Sequence, residues 1–117
     1  MKVITPALLS LALPLLGAVL SGADLPAEGR DFVERKIRPV LVAECYDCHG
    51  AQKQKAGLRL DSRPGWQKGG DAGVVIVPGD PAKSSLLAAI HHTDPDLKMP
   101  PKRERLPETV LEDFRTW

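Results

Sequence analysis

The stretch "ECYDCHG", residues 44–50, holds both cysteines of the chain, Cys45 and Cys48, and the second is followed at once by His49. Cys-x-x-Cys-His is the attachment pattern of haem c. Two residues between the cysteines, coiled in about one helical turn, space the sulfurs for the two vinyl groups of the porphyrin. The next residue then lies under the iron, where an imidazole supplies an axial ligand. The motif predicts one haem c attached through Cys45 and Cys48, with His49 on the iron.

Three other interpretations of the cysteine pair are open, and each lacks a part. A zinc site needs four protein ligands, so His91 and His92 would have to complete it. A thioredoxin-like pair belongs at a strand-to-helix junction, and no parallel-strand pattern precedes Cys45. A disulfide across two residues closes too short a loop to stabilise the chain much. Haem attachment is therefore the favoured interpretation.

The second axial ligand has three candidates, Met99, His91 and His92. Met99 precedes Pro100 and Pro101, which fix the backbone and present the thioether from a stiff segment. A soft sulfur ligand suits reduced iron, although a methionine can also simply fill a gap in a core. The two histidines fall at the end of a predicted helix, where they stabilise its dipole. Met99 is therefore the predicted sixth ligand, with the histidines in reserve.

The remaining pattern predicts a mainly α fold with a loop-rich middle segment. Apolar residues recur at helical spacing from Asp31 to Glu44, where Pro39 predicts a kink or two short helices. A second helix is expected to begin at Asp80-Pro81, and a last one to run over 107–117 and pack against the first. The apolar positions of these helices are Val33, Ile37, Val40 and Leu41, then Ala82, Leu86, Leu87 and Ile90, then Val110, Leu111, Phe114 and Trp117.

The middle segment, residues 50–79, is rich in glycine and charge and predicts mostly loop. Within it "GLRLDS" (57–62) and "GVVIVPG" (73–79) predict two short strands. Their apolar side chains are expected to line the haem pocket.

The first residues have the pattern of a secretory signal peptide. A positive start at Lys2 leads into an apolar run broken by Pro14, which ends in small residues at 21–23. The run is shorter than the roughly 20 apolar residues of a membrane span. We therefore expect cleavage after residue 23, a single mature domain over 24–117, export to the periplasm and no membrane span after cleavage.

Charge and size narrow the class further. Lys2 is the only charge in residues 1–23, so the mature domain carries 15 of the 16 basic residues against 15 acidic ones. A formally neutral domain gives no reason to expect nucleic acid or an anionic membrane as partner. Five aromatic residues are a thin supply for the core of a small exported domain, and a planar cofactor would complete it. A monomeric domain is expected.

Four stretches together resemble a known family, the planctomycete-type cytochrome c domain, a variant of the class I cytochrome c fold. They are "FVERKIRPVLVAECYDCHG", "GLRLDSRPGWQKGGDAGVVIVPGDPAKSSLLAAI", "DPDLKMPPK" and "LPETVLEDFRTW". The resemblance implies a helical fold wrapped around one covalent haem, with His49 and Met99 as axial ligands. Similar domains continue beyond the last tryptophan, so the resemblance also implies a chain cut off at its C-terminal helix.

These features predict an electron carrier and no enzyme, because iron with six ligands has no open position for substrate. A redox protein would be the partner. The basic residues around Met99 have two interpretations, a positive rim that steers an acidic partner or an ordinary solvated loop, and the neutral net charge slightly favours the loop; they are Lys98, Lys102, Arg103 and Arg105. Two alternatives stay open. In one, Met99 is displaced and the domain is a haem enzyme or a peroxide or gas sensor, with a distal histidine. In the other, the haem domain is a structural or docking unit of a larger exported protein.

Overall fold

The structure, a computed structural model, describes residues 26–117. The predicted signal peptide, residues 1–23, lies outside the described residues. The predicted mainly α class is confirmed, and the helices are joined by a loop-rich middle segment. The helical elements are α1 (Ala27–Phe32), a π-helical segment (Val33–Ile37), α2 (Arg38–Glu44), a short turn (Lys55–Gly57), α3 (Arg63–Lys68), a 3-10 turn (Pro81–Lys83), α4 (Ser85–Ile90) and α5 (Glu108–Thr116).

The interruption that Pro39 predicts takes the form of the π-helical segment between α1 and α2. Proline has no N–H and crowds the carbonyl four residues back, here that of Arg35. The ladder shifts accordingly, and the Arg38 N–H donates to the carbonyl of Val33, five residues back. Backbone torsions stay helical through the segment, so the chain passes from α1 to α2 without a loop.

The two predicted strands are wrong. The described residues contain only two isolated bridges, His49 with Gln54 and Gly70 with Gly73. Leu58 and Leu60 are buried on one side, as the alternation in "GLRLDS" implies, but the Leu60 N–H donates to the His49 carbonyl and not to a neighbouring strand. The alternation of apolar residues therefore predicted correctly which side chains are buried, but it was wrong about strand pairing.

Backbone groups of the second predicted strand, 73–79, also form hydrogen bonds with partners that are not strands. The Val75 carbonyl accepts from the Leu86 N–H at 3.0 Å, and the Val77 N–H donates to the Ser84 hydroxyl at 2.9 Å. Both partners belong to the entry into α4. The segment is therefore a loop that covers the start of that helix.

The predicted start of the second helix needs a correction. Asp80 does act as a cap, since its carboxylate accepts from the Lys83 N–H at 3.1 Å. The helix it opens is only the 3-10 turn, because Ser84 leaves helical torsions and α4 begins at Ser85. The buried Ser84 hydroxyl bonds to the loop at Val77, which explains the break. Ala82 consequently lies exposed, outside the apolar stripe.

The core lies where α5 crosses the N-terminal helical run and α4. This confirms the predicted packing of the last helix against the first. Leu111 and Ile37 are fully buried at this crossing. Each such side chain stabilises the fold by roughly 1.5–3 kcal/mol through its removal from water. The buried cluster consists of Ile37, Leu41, Leu58, Leu60, Ile90, Leu111 and Phe114.

Aromatic side chains extend the core toward α3. The rings of Trp66 and Trp117 meet edge to face with centroids 5.9 Å apart, and those of Phe114 and Trp117 do so at 6.0 Å. Such pairs add about 0.5–1.5 kcal/mol beyond area burial. The middle segment is thereby attached to α5. Among residues 26–117, no helix has the length and apolar character needed to cross a bilayer.

Candidate haem site

The cysteine motif forms one turn at the end of α2. The Cys45 N–H donates to the Leu41 carbonyl at 2.9 Å, continuing the helix, and the His49 N–H donates to the Cys45 carbonyl at 2.9 Å. Cys48 and His49 are therefore coiled back over Cys45, as the spacing predicts. Both cysteines are half-buried and free, so neither is spent on a disulfide.

A backbone carbonyl selects the tautomer of His49. Nδ1 lies 3.3 Å from the Leu58 carbonyl, a long hydrogen bond, and the Leu60 N–H donates to the His49 carbonyl at 2.8 Å. A carbonyl can only accept, so Nδ1 carries the proton. In the neutral ring Nε2 then keeps its lone pair, the form in which imidazole binds a metal. His49 thus fits the role of an iron ligand.

Sequence reasoning missed Leu58, because a main-chain carbonyl leaves no trace in residue type. The position of this carbonyl depends on a close approach of two loops. A Cβ on Gly70 would lie 2.6 Å from the Ala56 carbonyl oxygen and 3.3 Å from the Leu58 Cβ. The Asp71 N–H donates to the same Ala56 carbonyl at 2.8 Å. Only glycine at 70 permits this packing, and the run "GGDAG" was the available signal.

Gly50 closes the motif on its other side. It is buried, and a Cβ there would collide with the carbonyl oxygen of Tyr46. The Gly50 N–H donates to the Lys53 carbonyl at 2.8 Å, which turns the chain directly after His49. The absence of a side chain at 50 therefore lets the cysteine turn remain compact.

Met99 is half-buried and packs against the same apolar cluster as Cys45. The structure thus brings the cysteine turn and Met99 to one core. The Met99 N–H donates to the Ala89 carbonyl at 3.1 Å, and its carbonyl accepts from His92 Nε2 at 3.1 Å. The peptide bond to Pro100 is cis. Ligation of iron by Met99 remains a prediction.

The two reserve histidines occupy different positions at the end of α4. His91 is the C-cap residue, and its Nε2 is buried without a hydrogen-bond partner. His92 has φ +56°, in the left-handed region. The His92 N–H donates to the Ala89 carbonyl and the Thr93 N–H to the Ala88 carbonyl, which is a Schellman ending. Their predicted role on the helix dipole is not tested by these contacts.

An ion pair joins the two parts of the site. Arg103 Nη1 lies 2.8 Å from Glu44 Oε2, between the segment after Met99 and the residue before Cys45. The predicted basic cluster is weaker than the sequence implies, because Arg105 also has a partner, Glu108, at 3.2 Å. Within the described residues, Lys98 and Lys102 are exposed and form no ion pair.

Burial changes the acidity of groups in the motif. Removal from water, followed by the charges of Glu44 and Cys48, raises the pKa of the Cys45 thiol from 9.0 to about 11. Burial is also the main cause that raises the pKa of Tyr46. The thiol of Cys45 is consequently neutral at physiological pH.

The zinc alternative has no support in the described part of the chain. No three His, Cys, Asp or Glu side chains within residues 26–117 converge on a point where they could hold a metal ion. His91 and His92 therefore do not form a four-ligand set with the cysteine pair.

The fold and this site define a small, mainly α protein with a Cys-x-x-Cys-His turn at a helix end. The histidine has its Nδ1 hydrogen-bonded to a backbone carbonyl, and a methionine packs on the same core. That combination is typical of cytochromes c. A family model described as planctomycete cytochrome C matches residues 45–103, which is just over half of the chain and includes Cys45, Cys48, His49 and Met99. The chain belongs to the planctomycete cytochrome C family. No curated protein and no solved structure matches it significantly. Membership indicates the class of haem c-binding electron-transfer domains.

Proposed function

We propose that this domain binds one haem c through Cys45 and Cys48, with His49 and Met99 on the iron, and carries single electrons. The observation that supports it best is the cysteine turn itself. One helical turn presents two free thiols together with an imidazole whose Nε2 keeps its lone pair.

The chain's own groups have distinct tasks in this proposal. Cys45 and Cys48 would hold the haem, each through a thioether bond formed by addition of its thiol across one vinyl group. Nε2 of His49 and the sulfur of Met99 would be the protein ligands of the metal. When bound, haem c supplies a reversible one-electron couple at iron. The thioether of Met99 favours the reduced state and raises the potential.

Electron transfer is favoured over the open-iron alternative by one contact. A peroxidase or sensor would need a distal histidine free to act on a ligand. Nε2 of His92 is engaged with the Met99 carbonyl. His92 is therefore engaged in holding the Met99 segment, which favours the carrier, and the open-iron alternative would have to use His91, whose Nε2 has no partner.

The compartment and the partner belong to the same proposal. Haem c is attached outside the cytoplasm in bacteria, so the signal-like residues 1–23 fit a periplasmic protein. The partner is a redox protein that approaches the exposed Lys98 and Lys102 beside Met99. The domain acts as a monomer and does not bind nucleic acid.

The decisive experiment is expression in a strain that attaches haem c, followed by a pyridine haemochrome spectrum and intact mass. We expect a haem c spectrum and a mass equal to residues 24–117 plus one haem. The Cys45→Ala and Cys48→Ala variants should each show the shifted spectrum of a single thioether. Colourless protein with the mass of the polypeptide alone would overturn the proposal.

Carbon monoxide separates the carrier from the open-iron alternative. The reduced wild-type protein should bind carbon monoxide slowly, because Met99 occupies the sixth position. Met99→Ala should bind it rapidly and lose the methionine–iron charge-transfer band. An unchanged spectrum in Met99→Ala would show that another residue is the sixth ligand.

A further inference from the structure

The segment that carries Met99 is a closed loop with both ends on the last turn of α4. We call residues 93–99 the Met99 loop. At its start, the Thr93 N–H donates to the Ala88 carbonyl at 3.1 Å, and the Thr93 hydroxyl donates to the same oxygen at 3.2 Å. At its end, the Met99 N–H donates to the Ala89 carbonyl at 3.1 Å. Two adjacent helix carbonyls therefore fix the ends of the loop.

Inside the loop, Asp94 makes a local turn. Its carboxylate accepts from the Asp96 N–H at 2.9 Å, and its carbonyl accepts from the Leu97 N–H at 3.3 Å. Such Asx turns need no support from the rest of the fold. The C-terminal end of the loop is held less firmly. There the Met99 N–H makes one hydrogen bond to the helix, while the Met99 side chain must bind the metal.

His92 supplies the second bond at that end. Its Nε2 lies 3.1 Å from the Met99 carbonyl, and because a carbonyl only accepts, Nε2 is the protonated nitrogen. The left-handed torsion of His92, φ +56°, turns the chain at the end of α4. Histidine is among the few residues other than glycine that are enriched in this region.

We propose that His92 is the positioning residue of Met99: it donates from Nε2 to the Met99 carbonyl and thereby keeps the thioether on the iron. The proposal rests on the proposed function, in which Met99 is the sixth ligand. It gives His92 a role different from those of a ligand and of a charge on the helix dipole. Without the bond, the end of the Met99 loop is held by the Met99 N–H alone.

The neighbouring histidine provides a matched control. His91 belongs to the same helix end, but its Nε2 has no hydrogen-bond partner. Removal of the His91 side chain therefore breaks no bond to the Met99 loop. The pair separates a specific effect of the Met99 contact from a general effect of losing an imidazole at this helix end.

The test uses four variants of the haem-loaded protein, His92→Gly, His92→Gln, His91→Ala and Met99→Ala. His92→Gly removes the donor but suits the positive φ, so it is expected to fold. The Nε2 of glutamine is the same number of bonds from Cα as that of histidine, so His92→Gln can restore the contact. Met99→Ala reports the state without the ligand.

The readouts are the methionine–iron charge-transfer band of the oxidised protein, the rate of carbon monoxide binding to the reduced protein, and the reduction potential. We expect His92→Gly to bind carbon monoxide about three- to tenfold faster, the ratio expected from one lost hydrogen bond, with a weaker band and a lower potential. His92→Gln should return all three toward wild type, and His91→Ala should leave them unchanged.

Two outcomes overturn the proposal in distinguishable ways. If Met99→Ala opens the iron while His92→Gly keeps the wild-type band and carbon monoxide rate, His92 does not position Met99, and the proposed function stands. The same holds if His91→Ala matches His92→Gly. If Met99→Ala itself changes nothing, Met99 is not the ligand, and both proposals fail.

Discussion

Arg103 Nη1 lies 2.8 Å from Glu44 Oε2, so a residue shortly after Met99 is paired with the residue directly before Cys45. The two residues are 59 positions apart in sequence. The segment after Met99 is thus attached to α2, the helix that leads into Cys45. Cys45 and Met99 both pack against the apolar core. Glu44 is the more buried partner, with 26% of its side chain exposed against 58% for Arg103.

The coupling of this pair should be measurable but small. A partly exposed ion pair contributes up to about 1 kcal/mol, and salt screens it. We expect a double-mutant cycle of Arg103→Gln and Glu44→Gln, followed by urea unfolding, to give about 0.5–1 kcal/mol at low salt and less at high salt. The control cycle is Arg35 with Asp31, which are 74% and 54% exposed and should couple by about 0.3 kcal/mol. Zero coupling between Arg103 and Glu44 would show that the pair does not stabilise the folded domain.

Gly50→Ala should damage the cysteine turn. The added Cβ meets the carbonyl oxygen of Tyr46, which is backbone and cannot move aside cheaply. We expect a loss of stability of about 1–3 kcal/mol and less attached haem per polypeptide, measured by urea unfolding and by absorbance. Gly79→Ala is the comparison, since a Cβ there meets nothing within 4 Å and its cost is only that of a positive φ. Equal haem content and stability in Gly50→Ala and wild type would be incompatible with this geometry.

Much of this site was predictable because its signals are local. The cysteine spacing fixes one helical turn, Pro39 disturbs one ladder, and Asp80 caps the turn that follows it. Each of these effects acts within about five residues, which is the range that periodicity and capping rules describe.

The features that sequence reasoning missed are contacts between main-chain groups that are distant in sequence. The Leu58 carbonyl reaches His49, and the Met99 carbonyl reaches His92. A carbonyl is present at every residue, so its use leaves no signal in composition. The strand predictions failed for the related reason that alternation of apolar residues reports which side is buried and not which backbone is the partner.

Ser84→Ala should loosen the loop over α4. The Ser84 hydroxyl is buried, accepts from the Val77 N–H at 2.9 Å and lies 3.0 Å from the Asp80 carbonyl, to which it donates. Its removal leaves the Val77 N–H without that partner, at a cost of about 1–3 kcal/mol. Urea unfolding of the haem-loaded protein measures the difference. Ser85→Ala, at the exposed next residue, should stay within about 0.5 kcal/mol of wild type. Equal losses in Ser84→Ala and Ser85→Ala would show that the Ser84 hydrogen bonds do not stabilise the loop.

The Cys45 thiol should react slowly in the haem-free protein. Its pKa is raised from 9.0 to about 11, so the folded chain keeps this proton while the unfolded chain loses it between those values. The thiolate fraction at pH 8 falls about a hundredfold, and the greater nucleophilicity of a more basic thiolate offsets part of this, leaving about tenfold. Iodoacetamide labelling of the Cys45 peptide, followed by mass spectrometry, should be that much slower in buffer than in urea.

The raised pKa of the Cys45 thiol also makes the stability of the haem-free protein depend on pH. Below pH 9 the thiol is protonated in both states and its contribution is fully present, and it is lost as the pH rises toward 11. Haem-free protein should therefore unfold at lower urea concentration as the pH passes from 9 to 11, and Cys45→Ser should weaken this dependence. Equal labelling rates in buffer and in urea, for haem-free protein whose circular dichroism in buffer is that of a folded helical domain, would show that the thiol is not desolvated.

Lys98 and Lys102 should set the rate of electron exchange with an acidic partner. Both are exposed beside Met99 and form no ion pair in the described part of the chain, whereas Arg103 and Arg105 are paired. One unit charge at about 10 Å in water contributes about 0.4 kcal/mol, or about twofold in rate. Replacement of both lysines by glutamine should thus slow second-order electron transfer about fourfold at low ionic strength, measured by stopped-flow absorbance. The difference should shrink above about 0.1 M salt, where the Debye length falls below about 10 Å.

The control is Lys36→Gln on the N-terminal helical run, which should leave the rate unchanged. An equal loss of rate in Lys36→Gln would mean that the net charge of the domain, and not the surface around Met99, steers the partner.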